Sequence, residues 1–255
     1  MKKFFKSANL PTLVMGAGGI GLLLRLWLLS AGMEANGFLR LSHPANILLW
    51  IVVAIVLVGL FYLTKDLVAA DKYDFNFPAS GVSSWGLYIA ACGIGFGAFV
   101  DAFSVTTGIQ FLTTIMGLVT ALMLALNGYF RRRGTIPSMM THITISLYLV
   151  LRLISFYRAW NSDPQILDYC FPLLATSFLM LATYHRAAFD AHTGKRRPYA
   201  FCSLVAVFFS YLSLVGSENI LFFMSAAVWM TTDLCSLIPM PGIKLFHYPR
   251  EDKEC

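Results

Sequence analysis

The sequence predicts an all-α fold: a polytopic integral membrane bundle of eight transmembrane helices. Three observations carry that prediction. Apolar residues make up 58% of the 255-residue chain and charged residues only 13%, against ~45–50% and ~25% in ordinary soluble domains. Apolar runs of about 20 residues, the length that crosses a ~30 Å hydrocarbon core, recur from one end of the chain to the other. The basic residues fall on alternate loops, as the positive-inside rule requires of cytoplasmic segments. No polar stretch is long enough for a separate soluble domain, so residues 1–255 read as one membrane domain.

A basic lead, Met1–Asn9, precedes the first span, about Leu10–Ala31. That span contains MGAGGIG (Met15–Gly21), a string with the outline of a nucleotide-binding loop. It has no strand before it and lies within an apolar run, so its small residues read as a close-packing helix face. An arginine inside the apolar run and a length of ~20 residues argue against a cleaved signal peptide. The loop Gly32–Ala45 carries Glu34, Arg40 and Ser42-His43-Pro44, and the second span covers about Asn46–Thr64. A polar loop with Lys65, Asp66, Asp71, Lys72 and Asp74 leads to the third, about Ser84–Val105, where Gly93, Gly95 and Gly97 suit tight packing.

The turn around Thr106-Thr107-Gly108 opens the fourth span, about Ile109–Phe130, which stops at Arg131-Arg132-Arg133. The fifth, about Ser138–Trp160, carries His142 and Arg152, and the loop Asn161–Pro164 introduces the sixth, about Gln165–Tyr184. A basic loop, His185–Pro198, separates it from the seventh, about Tyr199–Val215. Glu218 stands at the lip of the eighth, about Asn219–Ile238, and residues 241–255 form a polar tail.

Charge placement tests this division. Nearly all lysines and arginines outside the spans, from Lys2 and Lys3 through Arg131–Arg133 and Lys195–Arg197 to Lys253, fall on one set of alternate loops. The other set holds only Arg40 and Arg158. Eight spans with both termini in the cytoplasm follow, in the cell membrane; seven or nine would scramble the bias. The net charge of +6 therefore expresses topology, with membrane lipids as the surrounding partner, and not a nucleic-acid surface.

The two halves, 10–130 and 138–240, resemble each other. LLLRLWLL around Arg25 matches LVLRLISF around Arg152, and Ser42-His43-Pro44 matches Ser162-Asp163-Pro164. With four spans in each half, the sequence predicts a 4+4 parallel internal repeat. Arg25 and Arg152 then lie at one depth, roughly 21 Å from the inner ends at ~1.5 Å per residue. A cation inside an apolar span costs about 2.5–3.5 kcal/mol on insertion scales, so it faces a partner or a wet cavity.

Asp101 comes out at a similar outer level, with Asp168 and Glu218 at the outer lips of their spans. One reading makes these charges ion pairs, for example Arg25–Asp101 and Arg152–Asp168, that hold helices in register. The other makes them a ligand pocket open to the outside, in which Arg25 and Arg152 clamp a carboxylate or phosphate and Asp101 and Asp168 orient them. Asp233 lies toward the inner leaflet and is the candidate for proton or cation coupling.

No GxSxG, HExxH or P-loop occurs, so no catalytic residue is expected. The five cysteines form no CxxC, and the histidine spacing does not suit haem, so neither metal nor cofactor is expected. The leading reading is a transporter of a small, possibly anionic solute, or a membrane-embedded binding protein. One alternative is a non-transporting scaffold or sensor held by structural ion pairs. A second is a lipid-modifying enzyme using His142, His185 and Asp190. The topology itself is testable: a fluorescent protein fused after Cys255 should fluoresce, and alkaline phosphatase inserted after Arg40 should be active. The reverse pair of results inverts the bundle.

Overall fold

The computed structural model describes residues 10–32, 39–40, 42–65, 73–160, 169–216 and 219–237. Among them are eight long helices: α1 Leu10–Ala31, α2 Pro44–Lys65, α3 Gly81–Asp101, α4 Gly108–Arg133, α5 Met139–Trp160, α6 Cys170–Asp190, α7 Arg196–Leu212 and α8 Ile220–Cys235. A single helical turn, Tyr73–Asn76, precedes α3, and a 3-10 turn, Ala102–Ser104, follows it. The tail, 241–255, lies outside the described residues.

Helices α1 to α5 are long and apolar enough to cross a membrane. They also turn large apolar side chains outward: Leu23 is 64% exposed, Ile55 65% and Trp85 65%. Soluble monomers rarely carry an apolar surface of that extent, so the five helices suggest insertion in a membrane. The last two helices are different. At ~1.5 Å per residue, the 17 residues of α7 reach only about 25 Å and the 16 of α8 about 24 Å. Thirteen residues of α7 are buried, from Arg196 to Leu212. A helix apolar on every side belongs in the core, and α7 is the core helix of this bundle.

Successive helices from α3 to α8 pack against one another, and α8 returns to pack on α3. The pair α1 and α2 lies against α7. This pairing does not repeat between the halves: α6 and α7 pack extensively, whereas α2 and α3, their counterparts in a duplicated unit, do not.

Small residues set the close approaches. A Cβ on Gly21 would lie 2.6 Å from the Leu212 side chain, and one on Gly18 2.9 Å from Tyr211, so these two glycines seat α1 on α7. Gly16 and Gly19, in the same glycine-rich string, face open space. Gly86 and Gly93 seat α3 on Thr232 and Ser225 of α8. At the start of α4, the Thr107 hydroxyl accepts from the Gln110 amide and the Gln110 side chain accepts from the Thr107 amide at 3.1 Å. This reciprocal cap fixes where the helix begins.

Helix boundaries differ from the sequence expectation by a few residues, and at three of them charged residues are involved. α6 runs on to Asp190 where a loop was expected from His185, α4 includes all three arginines 131–133, and α7 begins at Arg196. Arg131, Arg186 and Arg196 are only 1%, 5% and 5% exposed, so they are interior residues rather than loop charges free for lipid headgroups. Hydropathy ends a span at its first charges, but a charge met by partners inside the protein does not end a helix. Gly21→Leu should cost at least about 1–3 kcal/mol by overpacking the α1–α7 contact, while Gly19→Leu should stay within about 0.5 kcal/mol. Thermal unfolding of the two variants in detergent checks this.

Candidate functional site

Charge is gathered at both ends of the bundle, in opposite styles. At the end carrying most of the basic residues, Asp233 of α8 is 3% exposed and fully engaged. The Ser83 hydroxyl donates to its Oδ1 at 2.9 Å and the Tyr199 hydroxyl to its Oδ2 at 2.6 Å. Arg131 lies 3.8 Å from Oδ1 and Arg186 3.9 Å from Oδ2. Arg131 also donates to the hydroxyls of Ser83 at 3.3 Å and Ser236 at 2.6 Å. Arg186 reaches the Tyr73 hydroxyl at 3.5 Å. The ring of Phe77 sits beneath both guanidinium groups, 3.1 Å from Arg186 and 5.0 Å from Arg131, a cation–π arrangement that suits a desolvated site. Each carboxylate oxygen thus has a hydroxyl donor and a cation. The Nη1 groups of Arg131 and Arg186 are buried without a hydrogen-bond partner.

At the opposite end the carboxylate is partly exposed and the cation lies beside open space. Arg152 of α5 is 6% exposed. It donates to the hydroxyl of Tyr148, one turn earlier, at 2.8 Å and to Asn219 Oδ1 at 2.7 Å. Its guanidinium lies 4.0 Å from the centre of the Phe222 ring. Asp101 comes within 3.9 Å of it, an ion pair beyond hydrogen-bonding distance, and the Asp101 side chain is 47% exposed. The Nε of Arg152 is buried without a hydrogen-bond partner. A buried donor in that state costs free energy until something accepts from it.

That guanidinium borders two cavities. One, of about 270 Å³, is ringed by Asp101, Ser104, Gln110, Thr113, Thr114, Ser155, Tyr169 and Asn219. The other, of about 290 Å³, runs between α3, α5 and α8 past Gly93, Gly97, Val100, Ile220, Leu221 and Phe222. Asp101, Arg152 and Asn219 border both. Gln110, which caps α4 with its side-chain oxygen, is thereby held at the wall of the first cavity.

Of the residues expected to share a site, Arg152 and Asp101 come together. Arg25 does not join them. It is 1% exposed, donates to the Leu212 carbonyl at 2.8 Å and lies 5.0 Å over the Phe171 ring, and it borders neither cavity. A cation at the carbonyl end of α7 suits the helix dipole. Asp101 therefore pairs with Arg152 and not with Arg25, the reverse of one expected pairing. Asp168 and Glu218 lie outside the described residues.

Of the histidine set, His142 and Asp190 meet at 2.7 Å between α5 and α6, whereas His185 rests against Tyr184. Ser146, one turn on from His142 along α5, donates to the His142 carbonyl and hydrogen-bonds the Thr183 hydroxyl. Among the described residues no three His, Cys, Asp or Glu side chains gather as a metal site.

Sequence reasoning missed Arg131 and Arg186, which the charge bias had absorbed into loops, and with them Tyr73, Phe77, Ser83 and Tyr199. One signal was available: a carboxylate inside the last span demands cations from somewhere in the chain. It also missed Tyr148, whose four-residue spacing from Arg152 puts both on one helix face. Compared with known protein families, with curated proteins and with solved structures, the chain matches none.

Asp233→Asn should leave two buried guanidinium groups without their carboxylate and cost about 3–5 kcal/mol. Adding Arg186→Met to that variant should recover part of the loss. Chemical unfolding of the single and double variants in detergent measures both effects.

Proposed function

We propose that the protein is an eight-span membrane protein that binds a small anionic solute at Arg152 and carries it across the bilayer. The observation that carries this reading is a buried arginine with an unsatisfied Nε on the wall of a polar cavity of about 270 Å³. Sites for small molecules sit in clefts of about this size or larger, with a few convergent polar groups, and a guanidinium fork suits a carboxylate or phosphate. Arg152 supplies the charge, Tyr148 and Asn219 hold its fork, and Asp101 counterbalances it between loads. Arg25 has an anchoring role, tying α1 to the end of α7.

With the charge bias setting orientation, the cavity opens outward and the Asp233 cluster closes the cytoplasmic side. That is the arrangement of a carrier awaiting solute from outside. Passage inward requires the Arg131–Asp233–Arg186 tie to part. A proton on Asp233 removes the charge that holds both arginines, which is how this residue couples a proton to opening. The scaffold reading draws its support from the same cluster, because a buried ion triad can equally be a permanent strut.

Ligand stabilisation of the purified protein separates the two. An anion at about 100 times its dissociation constant adds about 2.7 kcal/mol of stability. Phosphate or a small carboxylate should raise the melting temperature of the parent and of Arg25→Gln, but not that of Arg152→Gln. If no anion shifts the parent, the binding reading falls and the scaffold reading stands.

A further inference from the structure

The second cavity has no task in the binding of a small solute, yet it meets the first at the same arginine. Its walls are Gly93, Gly97 and Val100 on α3, Tyr148 on α5, and Leu221 and Phe222 on α8. Gly97 has nothing within 4 Å of where a side chain would start, so the crevice is open at the last turn of α3. At its rim Val100 is 49% exposed and Leu221 46%, on a surface that faces lipid if the bundle spans a membrane. A charged, hydroxyl-rich chamber therefore adjoins an apolar slot open to the side, with one guanidinium at the junction.

We infer that the occupant is a single-chain anionic amphiphile, with its acid group on Arg152 in the polar chamber and its acyl chain along Gly97 in the slot. The inference rests on the Arg152 reading and names its ligand class. The charge of the head is set by Arg152, whose Nε lacks an acceptor. Asp101 holds Arg152 only loosely: its side chain is half exposed and stands 3.9 Å off, an ion pair of the partly solvated kind that is worth little. The chain is set by the slot, because a glycine with open space above it leaves a channel where any larger residue would project. Entry is lateral, from the leaflet in which such an amphiphile already dissolves.

The test uses the full chain in phosphatidylcholine nanodiscs, with radiolabelled laurate as probe and empty discs subtracted. Laurate should bind saturably, and octanoate severalfold more weakly on the basis of free aqueous concentration. Arg152→Gln should weaken laurate at least tenfold. Gly97→Leu should do the same while leaving the stabilisation by acetate or phosphate intact, since it fills the slot and not the chamber. Should Gly97→Leu fail to fold, the chain-length comparison on the parent still decides.

Stabilisation by acetate or phosphate with no saturable laurate overturns the amphiphile and leaves the small-anion reading standing. Absence of binding by every anion overturns both. Tighter binding of dodecyltrimethylammonium than of laurate overturns the anionic head and gives the site to Asp101.

Discussion

Asp233 cannot be left alone in an apolar interior, and the basic end of the bundle is built around that constraint. Its carboxylate draws in Ser83 from α3, Arg131 from α4, Arg186 from α6 and Tyr199 from α7, and Arg186 reaches on to Tyr73 ahead of α3. Five helices thus converge on one side chain. Buried ion pairs add little net stability compared with apolar packing, but losing one partner is costly. The cluster therefore acts on geometry more than on free energy: α3, α4, α6, α7 and α8 share one register, and slippage of any of them strands a charge.

The two ends of the bundle differ in how their carboxylates are held: Asp233 is buried, whereas the Asp101 side chain is half exposed. Around Asp233 both oxygens have a hydroxyl and a cation, and an aromatic ring lies under both guanidinium groups. Around Arg152 the carboxylate stands off and one nitrogen has no acceptor. Arg131 and Arg186 each keep one buried nitrogen without an acceptor, as Arg152 does, but Arg152 borders the two cavities, where a ligand has room to complete its bonding. The same residue types thus give a tie at one end and a cavity wall at the other.

Between these ends the packing runs through α7, whose residues are buried on all sides, with α1 and α2 added against it through Gly18 and Gly21. Small residues at such a contact let the backbones approach closely, which is how helices associate in lipid, where apolar side chains gain nothing by burial. That is also why the glycines sort so sharply. Gly21 and Gly93 are filled spaces, while Gly97 opens a slot, a distinction of helix phase that a glycine count does not contain.

The eight helices, their approximate bounds and the apolar exterior of the first five were legible in the sequence because hydropathy and helix length are local properties. So was the cost of Arg25, Arg152 and Asp233, which marks each as needing a partner wherever it lies. Partner choice was not legible. Arg131, Arg132 and Arg133 are identical in sequence terms, yet the turn of α4 buries the first and leaves the other two exposed. Arg25 and Arg152 sit in matching leucine-rich runs, yet one caps a helix end and the other borders two cavities. The sequence alone determined which residues are expensive to bury. Only the tertiary structure decided what meets them, because that depends on helix rotation and on neighbours more than a hundred residues away.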